Sequence, residues 1–170
     1  MRFVRYIVGG LAVLVLAVFV ALLVTQQNAV VAREILIARP PMVVWGVLVR
    51  TGDYPAWNPF IQRVDGSLAV GARVVIALGD EAHRMEFRPV VLEMEPGSVL
   101  RWRGSLGPGG LFDGEHSFVL TAEGRGTKLV QSERFSGLLV GRLTEGLLRD
   151  TGDSFSAMNS ALKSRVEAEQ

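Results

Sequence analysis

The hydrophobic pattern divides the chain into an unbroken apolar run over residues 6–24 and a longer part in which apolar and polar positions alternate. A helix of this length spans about 28 Å, close to the hydrocarbon thickness of a bilayer. Arg2 and Arg5 precede the run, and residues 25–32 carry no charge, so the positive-inside rule predicts a cytoplasmic N-terminus. We therefore expect a signal anchor, a transmembrane helix with a short linker, over residues 1–29.

A cleaved signal peptide is the alternative interpretation of the same segment, because the sequence Val-Val-Ala over residues 30–32 is compatible with a signal-peptide cleavage site. The apolar run is longer than the roughly 7–15 residues typical of a signal peptide, which favours an uncleaved, single-pass anchor. Both interpretations export the domain over residues 30–170. It would lie on the non-cytoplasmic side of the cell membrane, or be secreted if cleavage occurs.

The pattern after residue 30 predicts a series of short strands followed by one long helix. Pro41 begins a short helix over 41–49, and the aromatic segment 54–60 predicts a tight turn. From Leu138 the apolar positions recur three, four or eight apart, which indicates an amphipathic helix that Gly152 could kink. Between turn residues we expect strands over 30–38, 60–65, 72–78, 83–93, 99–106, 112–120 and 128–135.

This order of elements predicts an α+β helix-grip fold. A curved antiparallel sheet of six to seven strands must cover its apolar face, and the long C-terminal helix is the large apolar partner that the chain offers. A sheet curved around a helix tends to leave a concave, mostly apolar space, the kind of space in which small ligands bind.

Composition and charge narrow the functional classes. The chain has no cysteine, which excludes a disulfide scaffold, a thiolate metal site and a cysteine nucleophile. Lys and Arg number 18 against 17 Asp and Glu, and so balanced a chain lacks the basic face of a nucleic-acid-binding protein. Two histidines are too few for a His-rich metal site. We expect no metal, no cofactor and no nucleic-acid partner.

His116 is the most suggestive candidate for chemistry. Strand alternation turns it to the concave side with Phe118, and a hairpin pairing would bring it next to Gln131 or Glu133. An imidazole beside a buried carboxylate can act as a general acid and base. The alternative, which we favour, is a satisfied polar pair without catalysis, because no nucleophile accompanies it.

Two further groups of residues have a structural and a functional interpretation. We expect Trp57 in the core and Asn58 as the cap of the aromatic turn. The functional alternative is that the amide of Asn58 binds a ligand. Charged residues alternate on the outward faces of neighbouring strands and predict a solvated charge ladder, with an anionic lipid headgroup contact as the alternative. These residues are Arg84, Glu86, Arg88, Arg101 and Arg103.

Five ordered segments resemble the SRPBCC superfamily of START-like and birch-pollen-allergen-like proteins, which includes polyketide cyclase/dehydrase-type members. The segments are Y-P-A-W-N-P-F-I over 54–61, M-E-F-R-P-V-V-L over 85–92, G-E-H-S-F over 114–118, G-T-K-L with E-R-F-S-G-L over 126–138, and M-N-S-A-L-K over 158–163. The resemblance covers residues 30–167. It implies the helix-grip fold and a hydrophobic ligand, and it supplies no shared catalytic constellation.

We therefore expect a membrane-anchored domain that binds a hydrophobic small molecule or lipid in an internal cavity without catalysing a reaction. The alternatives are a cyclase/dehydrase-type enzyme using His116 and Glu133, and a protein-interaction module at the membrane. The expected cavity residues are Trp57, Ile76, Met85, Phe87, Leu100, Trp102, His116, Phe118, Gln131, Glu133, Phe135, Phe155 and Met158.

Overall fold

The structure, a computed structural model, describes residues 2–24, 27–79, 84–141 and 144–169. The helices are α1 (Arg2–Val24), α2 (Pro41–Leu48), α3 (Tyr54–Trp57) and α4 (Thr144–Ala168), with a single 3-10 turn over Thr51–Asp53. The strands are β1 (Gln27–Ile37), β2 (Ile61–Asp65), β3 (Val75–Leu78), β4 (Met85–Phe87), β5 (Val90–Glu95), β6 (Val99–Ser105), β7 (Asp113–Glu123) and β8 (Gly126–Gly137).

All paired strands are antiparallel, and they form a five-stranded sheet in the order β1-β8-β7-β6-β5 and a three-stranded sheet in the order β2-β3-β4. The predicted α+β fold is confirmed, but the predicted single sheet of six to seven strands is wrong for the described residues, which contain eight strands in two sheets. The predicted strand over 83–93 is divided at Pro89, which has no N–H to donate to a ladder.

The long helix begins later than the pattern predicted. Residues 138–141 form turns before α4 instead of its first turn, and residues 142–143 lie outside the described ranges. The N–H groups of Leu138 and Leu139 donate to the carbonyl oxygens of Gly110 and Leu111, at 3.1 Å each. These bonds hold residues 138–141 against the loop between β6 and β7, so these residues do not form the first turn of the helix.

Helix α4 runs without interruption through Gly152. A Cβ atom at residue 152 would overlap the guanidinium group of Arg33 on β1. The guanidinium group thus lies close to the helix at this position, and the predicted kink at Gly152 is wrong.

The core lies between the concave face of the larger sheet and α4. Leu100, Phe118 and Leu129 from the sheet meet Met158 and other apolar residues of the helix, and each of these four named side chains is at most 1% exposed. A second, smaller cluster contains Val31, Phe135, Val140 and Phe155. The prediction that the final helix covers the sheet is confirmed.

Helix α1 confirms that the apolar run is helical. Its described large side chains remain exposed, from 48% for Val20 to 77% for Tyr6. Within the described residues, no helix combines the length and apolar content that crossing a membrane requires. The predicted transmembrane span and the division of the chain at residues 29 and 30 stay predictions.

Candidate functional site

His116 lies in the middle of β7, directly opposite Glu133 of β8. The His116 Nδ1 and Glu133 Oε2 atoms are 2.7 Å apart. An ionised carboxylate can only accept, so Nδ1–H donates this bond. Gln131 approaches the other ring nitrogen, with its Nε2 atom 3.2 Å from His116 Nε2. Because an amide nitrogen only donates, His116 Nε2 is the acceptor in this contact. The predicted contact across the hairpin is confirmed.

Aromatic rings enclose the imidazole of His116. Trp102 stacks on it with ring centroids 5.0 Å apart and planes 7° apart. Phe118 and Phe155 meet it edge-on, at 4.7 Å and 5.0 Å. The His116 side chain is only 5% exposed and that of Glu133 is 15% exposed, so this polar pair lies in apolar surroundings, where an unpaired partner would be costly.

Gln131 has no exposed surface, and its Oε1 atom has no hydrogen-bond partner. Its Nε2 atom contacts Met158 Sδ at 3.5 Å, in addition to His116. A buried carbonyl without a donor costs about 1–3 kcal/mol. The Gln131 oxygen is therefore an acceptor that an O–H or N–H group of a bound molecule could satisfy.

Gly114 positions the Glu133 carboxylate, a role that the sequence analysis missed. A Cβ atom at residue 114 would overlap Glu133 Oε1. Glycine thus leaves the space in which the carboxylate lies across β7. The signal was available, because a glycine inside a strand often marks the close approach of another group.

The structure brings Leu100, Trp102, Phe118, Phe155 and Met158 together around the pair, all of them buried. Leu100, Phe118, Gln131, Phe155 and Met158 have no exposed surface at all, so no water-sized space touches these side chains. The packing around His116 is tight, although the side chain of Glu133 is 15% exposed, and the predicted internal cavity stays a prediction.

The remaining predicted cavity residues are Ile76, Trp57, Phe135, Phe87 and Met85. Ile76 is buried, with Trp57 partly buried against the same core cluster, and Phe135 belongs to the smaller cluster. Phe87 is half-buried opposite Ile76 in the three-stranded sheet. Met85 does not join them, because its side chain is 56% exposed.

Open space is found on the outer face of the sheet instead. A cleft of about 490 Å³ is lined by Arg103, Ser105, Gly109, Gly110, Asp113, Ser136 and Gly137. An adjoining cleft of about 400 Å³ includes Arg73, Arg88 and Arg103 among its lining residues. Both clefts border the loop between β6 and β7, and neither reaches His116.

Asp113 faces this outer side, yet it is buried. Burial by itself would raise the pKa of its carboxyl group. Hydrogen bonds from Ser105, Arg103 and the backbone N–H of Gly110, together with the positive charge of Arg103, outweigh burial and lower that pKa. The carboxylate therefore fixes the loop between β6 and β7.

The predicted charge ladder on the outer face is found only in part, because Glu86 lies in the three-stranded sheet and Arg101 in the five-stranded sheet. Arg101 lies 3.3 Å from Glu93 and 3.8 Å from Glu115, and Glu86 lies 3.6 Å from Arg63. These pairs are between a third and a half exposed, so each contributes about 0–1 kcal/mol to stability. Arg84 and Arg88 are also exposed, and the headgroup contact stays a prediction.

Asn58 caps the aromatic turn, as the favoured interpretation predicted. Its Oδ1 atom accepts the N–H groups of Phe60 and Ile61 at 2.9 Å each. Tyr54 is fully buried and donates its hydroxyl to Leu48 O at 2.6 Å, and burial raises the pKa of that phenol. Both residues shape the backbone that precedes β2.

Comparison with solved structures shows the fold. The allergen Ara h 8.0201 has 17% sequence identity with a TM-score of 0.66, covering 84% of this chain and all of the allergen. Norcoclaurine synthase from Thalictrum flavum, in complex with dopamine and hydroxybenzaldehyde, has 14% identity and a TM-score of 0.66, with 86% and 91% covered. The Zhui aromatase/cyclase from a Streptomyces species has 18% identity and a TM-score of 0.63, with 83% and 94% covered.

Comparison with curated proteins gave no match. The family model described as "Polyketide cyclase / dehydrase and lipid transport" matches residues 28–167, which include every strand from β2 to β8 and nearly all of β1 and α4. The chain belongs to this polyketide cyclase/dehydrase and lipid-transport family of the SRPBCC superfamily.

Proposed function

We propose that this protein is a membrane-tethered domain that binds an apolar small molecule or a lipid between its sheet and α4, and that it does not catalyse a reaction on that ligand. The observation that carries the proposal is the unpartnered Oε1 atom of Gln131, which lies in an otherwise apolar interior beside His116. A mostly apolar site with one or two oriented polar groups is typical of small-molecule recognition.

The arrangement favours a ligand that is largely apolar and brings one hydrogen-bond donor. Such a donor would satisfy Gln131 Oε1 while the rest of the ligand contacts Phe155 and Met158. These two side chains fill the interior next to Gln131, so binding must displace them. Methionine suits this role because its unbranched side chain adapts to different shapes.

The surroundings of His116 argue against catalysis. One ring nitrogen of His116 is hydrogen-bonded to Glu133 and the other to Gln131. Trp102 covers one face of the ring. A general acid or base must reach the proton that it transfers at hydrogen-bond distance. In this arrangement a substrate atom reaches neither nitrogen unless Gln131 or Glu133 moves.

The tether is supported by the sequence. Residues 6–24 carry no charge and follow two arginines, a pattern that places the domain on the non-cytoplasmic side of the cell membrane. The exposed apolar side chains of α1, such as Leu14 and Phe19, would be covered by lipid. The anchor requires that α1 is retained rather than cleaved.

Dibrominated stearate, which quenches tryptophan fluorescence on contact, tests ligand binding by the full chain in lipid nanodiscs. We expect saturable quenching that Trp102→Phe largely removes, because Trp102 lies against the His116 ring. Trp57→Phe is the matched control and should retain it. Quenching that does not saturate and is equal in both variants would reject the binding site and leave the interaction module as the better interpretation.

A cyclase/dehydrase-type enzyme is the second candidate, favoured by the 2.7 Å contact of His116 and Glu133. Turnover of a poly-β-ketone thioester, followed by mass spectrometry, tests it. An enzyme of this type loses turnover in both His116→Phe and Glu133→Gln. The absence of turnover by the unaltered chain, together with saturable stearate binding, would favour the binding protein.

A further inference from the structure

The start of the domain and two of its loops lie at one end of the larger sheet. Gln27, the first residue of β1, pairs with Gly137, the last residue of β8. Next to them, β6 ends and β7 begins, with Ser105 paired to Asp113. The connections over 106–112 and 138–141 therefore emerge at the end of the sheet where the chain enters from α1.

This end exposes apolar side chains. Leu106 is 64% exposed and Leu139 is 39% exposed, while Leu111 and Phe112 are partly exposed. Backbone hydrogen bonds between the two connections, described above, hold them against each other. We refer to these four residues as the apolar rim.

The covalent connection limits how far the rim can be from α1. Helix α1 ends at Val24 and β1 begins at Gln27. Even a fully extended chain spans only about 10 Å between these two residues. If α1 crosses a bilayer, the end of the sheet that carries the rim must lie next to the lipid surface.

Aromatic contacts lead from the rim towards the candidate site. The rings of Phe112 and Phe135 are 5.5 Å apart, and Phe135 belongs to the same buried cluster as Phe155. The ring of Phe155 meets that of His116 at 5.0 Å. A continuous series of apolar side chains thus connects the outer surface with the interior.

We propose that the apolar rim seats on the surface of the bilayer that holds α1, so that an apolar ligand passes between lipid and the interior without crossing water. The inference rests on the tether of the proposed function and goes beyond it, because a tether alone does not decide which face of a domain meets the lipid. Burial of exposed leucine and phenylalanine side chains supplies the favourable free energy of this contact.

Single cysteines test the proposal, since the chain has no cysteine of its own. Leu106→Cys and Leu139→Cys place a bimane fluorophore on the rim of the full chain. Leu36→Cys is the matched control, because Leu36 is 56% exposed and lies nine positions along β1 from Gln27, about 30 Å away. Tyr6→Cys labels α1 and reports whether the helix is in the bilayer.

Each labelled protein is reconstituted in nanodiscs with and without a lipid that carries a nitroxide near its headgroup. We expect the nitroxide to reduce fluorescence at residues 6, 106 and 139 and to leave residue 36 unchanged. Quenching at residue 6 without quenching at 106 and 139, or equal quenching at 36 and 106, would overturn the rim while leaving the tether. No quenching at residue 6 would overturn the tether and the rim together, whereas ligand binding is measured independently by stearate quenching.

Discussion

Replacing Glu133 by leucine should reveal how strongly the buried polar pair depends on both partners. The substitution removes the acceptor of the His116 Nδ1–H bond, and the imidazole is only 5% exposed, so water cannot replace the lost acceptor. A buried donor without a partner costs about 1–3 kcal/mol. For a domain of this size that loss lowers Tm by roughly 3–10 °C.

The measurement is urea unfolding of the full chain, followed by tryptophan fluorescence in one fixed detergent. Glu133→Gln is the conservative control, because its amide oxygen still accepts from Nδ1 and should preserve most of the stability. His116→Phe and the double variant with Glu133→Leu complete a double-mutant cycle. Removing both polar partners should cost less than the two single changes added together, with a coupling of about 1–3 kcal/mol.

Additive effects of His116→Phe and Glu133→Leu would refute this reasoning. So would equal stability of Glu133→Leu and Glu133→Gln. Either result would mean that the histidine finds water or another acceptor, and that the site opens more readily than its closed packing indicates.

Three further substitutions test individual contacts. Gly114→Ala should displace the Glu133 carboxylate and destabilise the domain by about 1–3 kcal/mol, with the loss of the Nδ1–H bond visible as a changed imidazole ¹⁵N shift by NMR; an unchanged shift contradicts it. Asp113 has a lowered pKa in the fold, so its stabilising contribution is complete above about pH 4 and is lost as the pH falls through the folded-state pKa. Asp113→Asn should therefore weaken the dependence of the unfolding free energy on pH in the acid range. The same dependence in the variant and the unaltered chain would disprove this. Asn58→Ala should cost about 1–2 kcal/mol because two backbone N–H groups lose their acceptor, and a change below the error of urea unfolding would show that water replaces the cap.

The elements that could be predicted from the sequence are those with strong periodicity. Strand alternation predicted His116 next to Gln131 or Glu133, and the structure shows it in contact with both. A period of two fixes which side chains share a face once the hairpin turn is known. The helical spacing of the final apolar residues correctly identified α4, but its start was wrong because Leu138 and Leu139 bond to a loop rather than to the next helical turn.

The errors have a common physical origin in tertiary contacts that the local pattern does not contain. Met85 alternates with polar neighbours as an inward residue would, yet β4 has only three residues and its first side chain remains exposed. Asp113 lies on the outer face of its strand, but its burial depends on the loop that folds over it. The closed packing around Gln131 depends on side-chain volumes contributed by several elements at once.

The pairing of the first strand with the last has a consequence for biosynthesis. Residues Gln27 and Gly137 are neighbours in the ladder although about 110 residues separate them, and contacts between such distant positions form late and slowly. Strand β1 leaves the ribosome before β8 and stays without this partner until β8 has been synthesised, with an unpaired edge that favours aggregation. Slowing the synthesis of the C-terminal third should therefore increase the need for chaperones, whereas slowing synthesis before residue 27 should not.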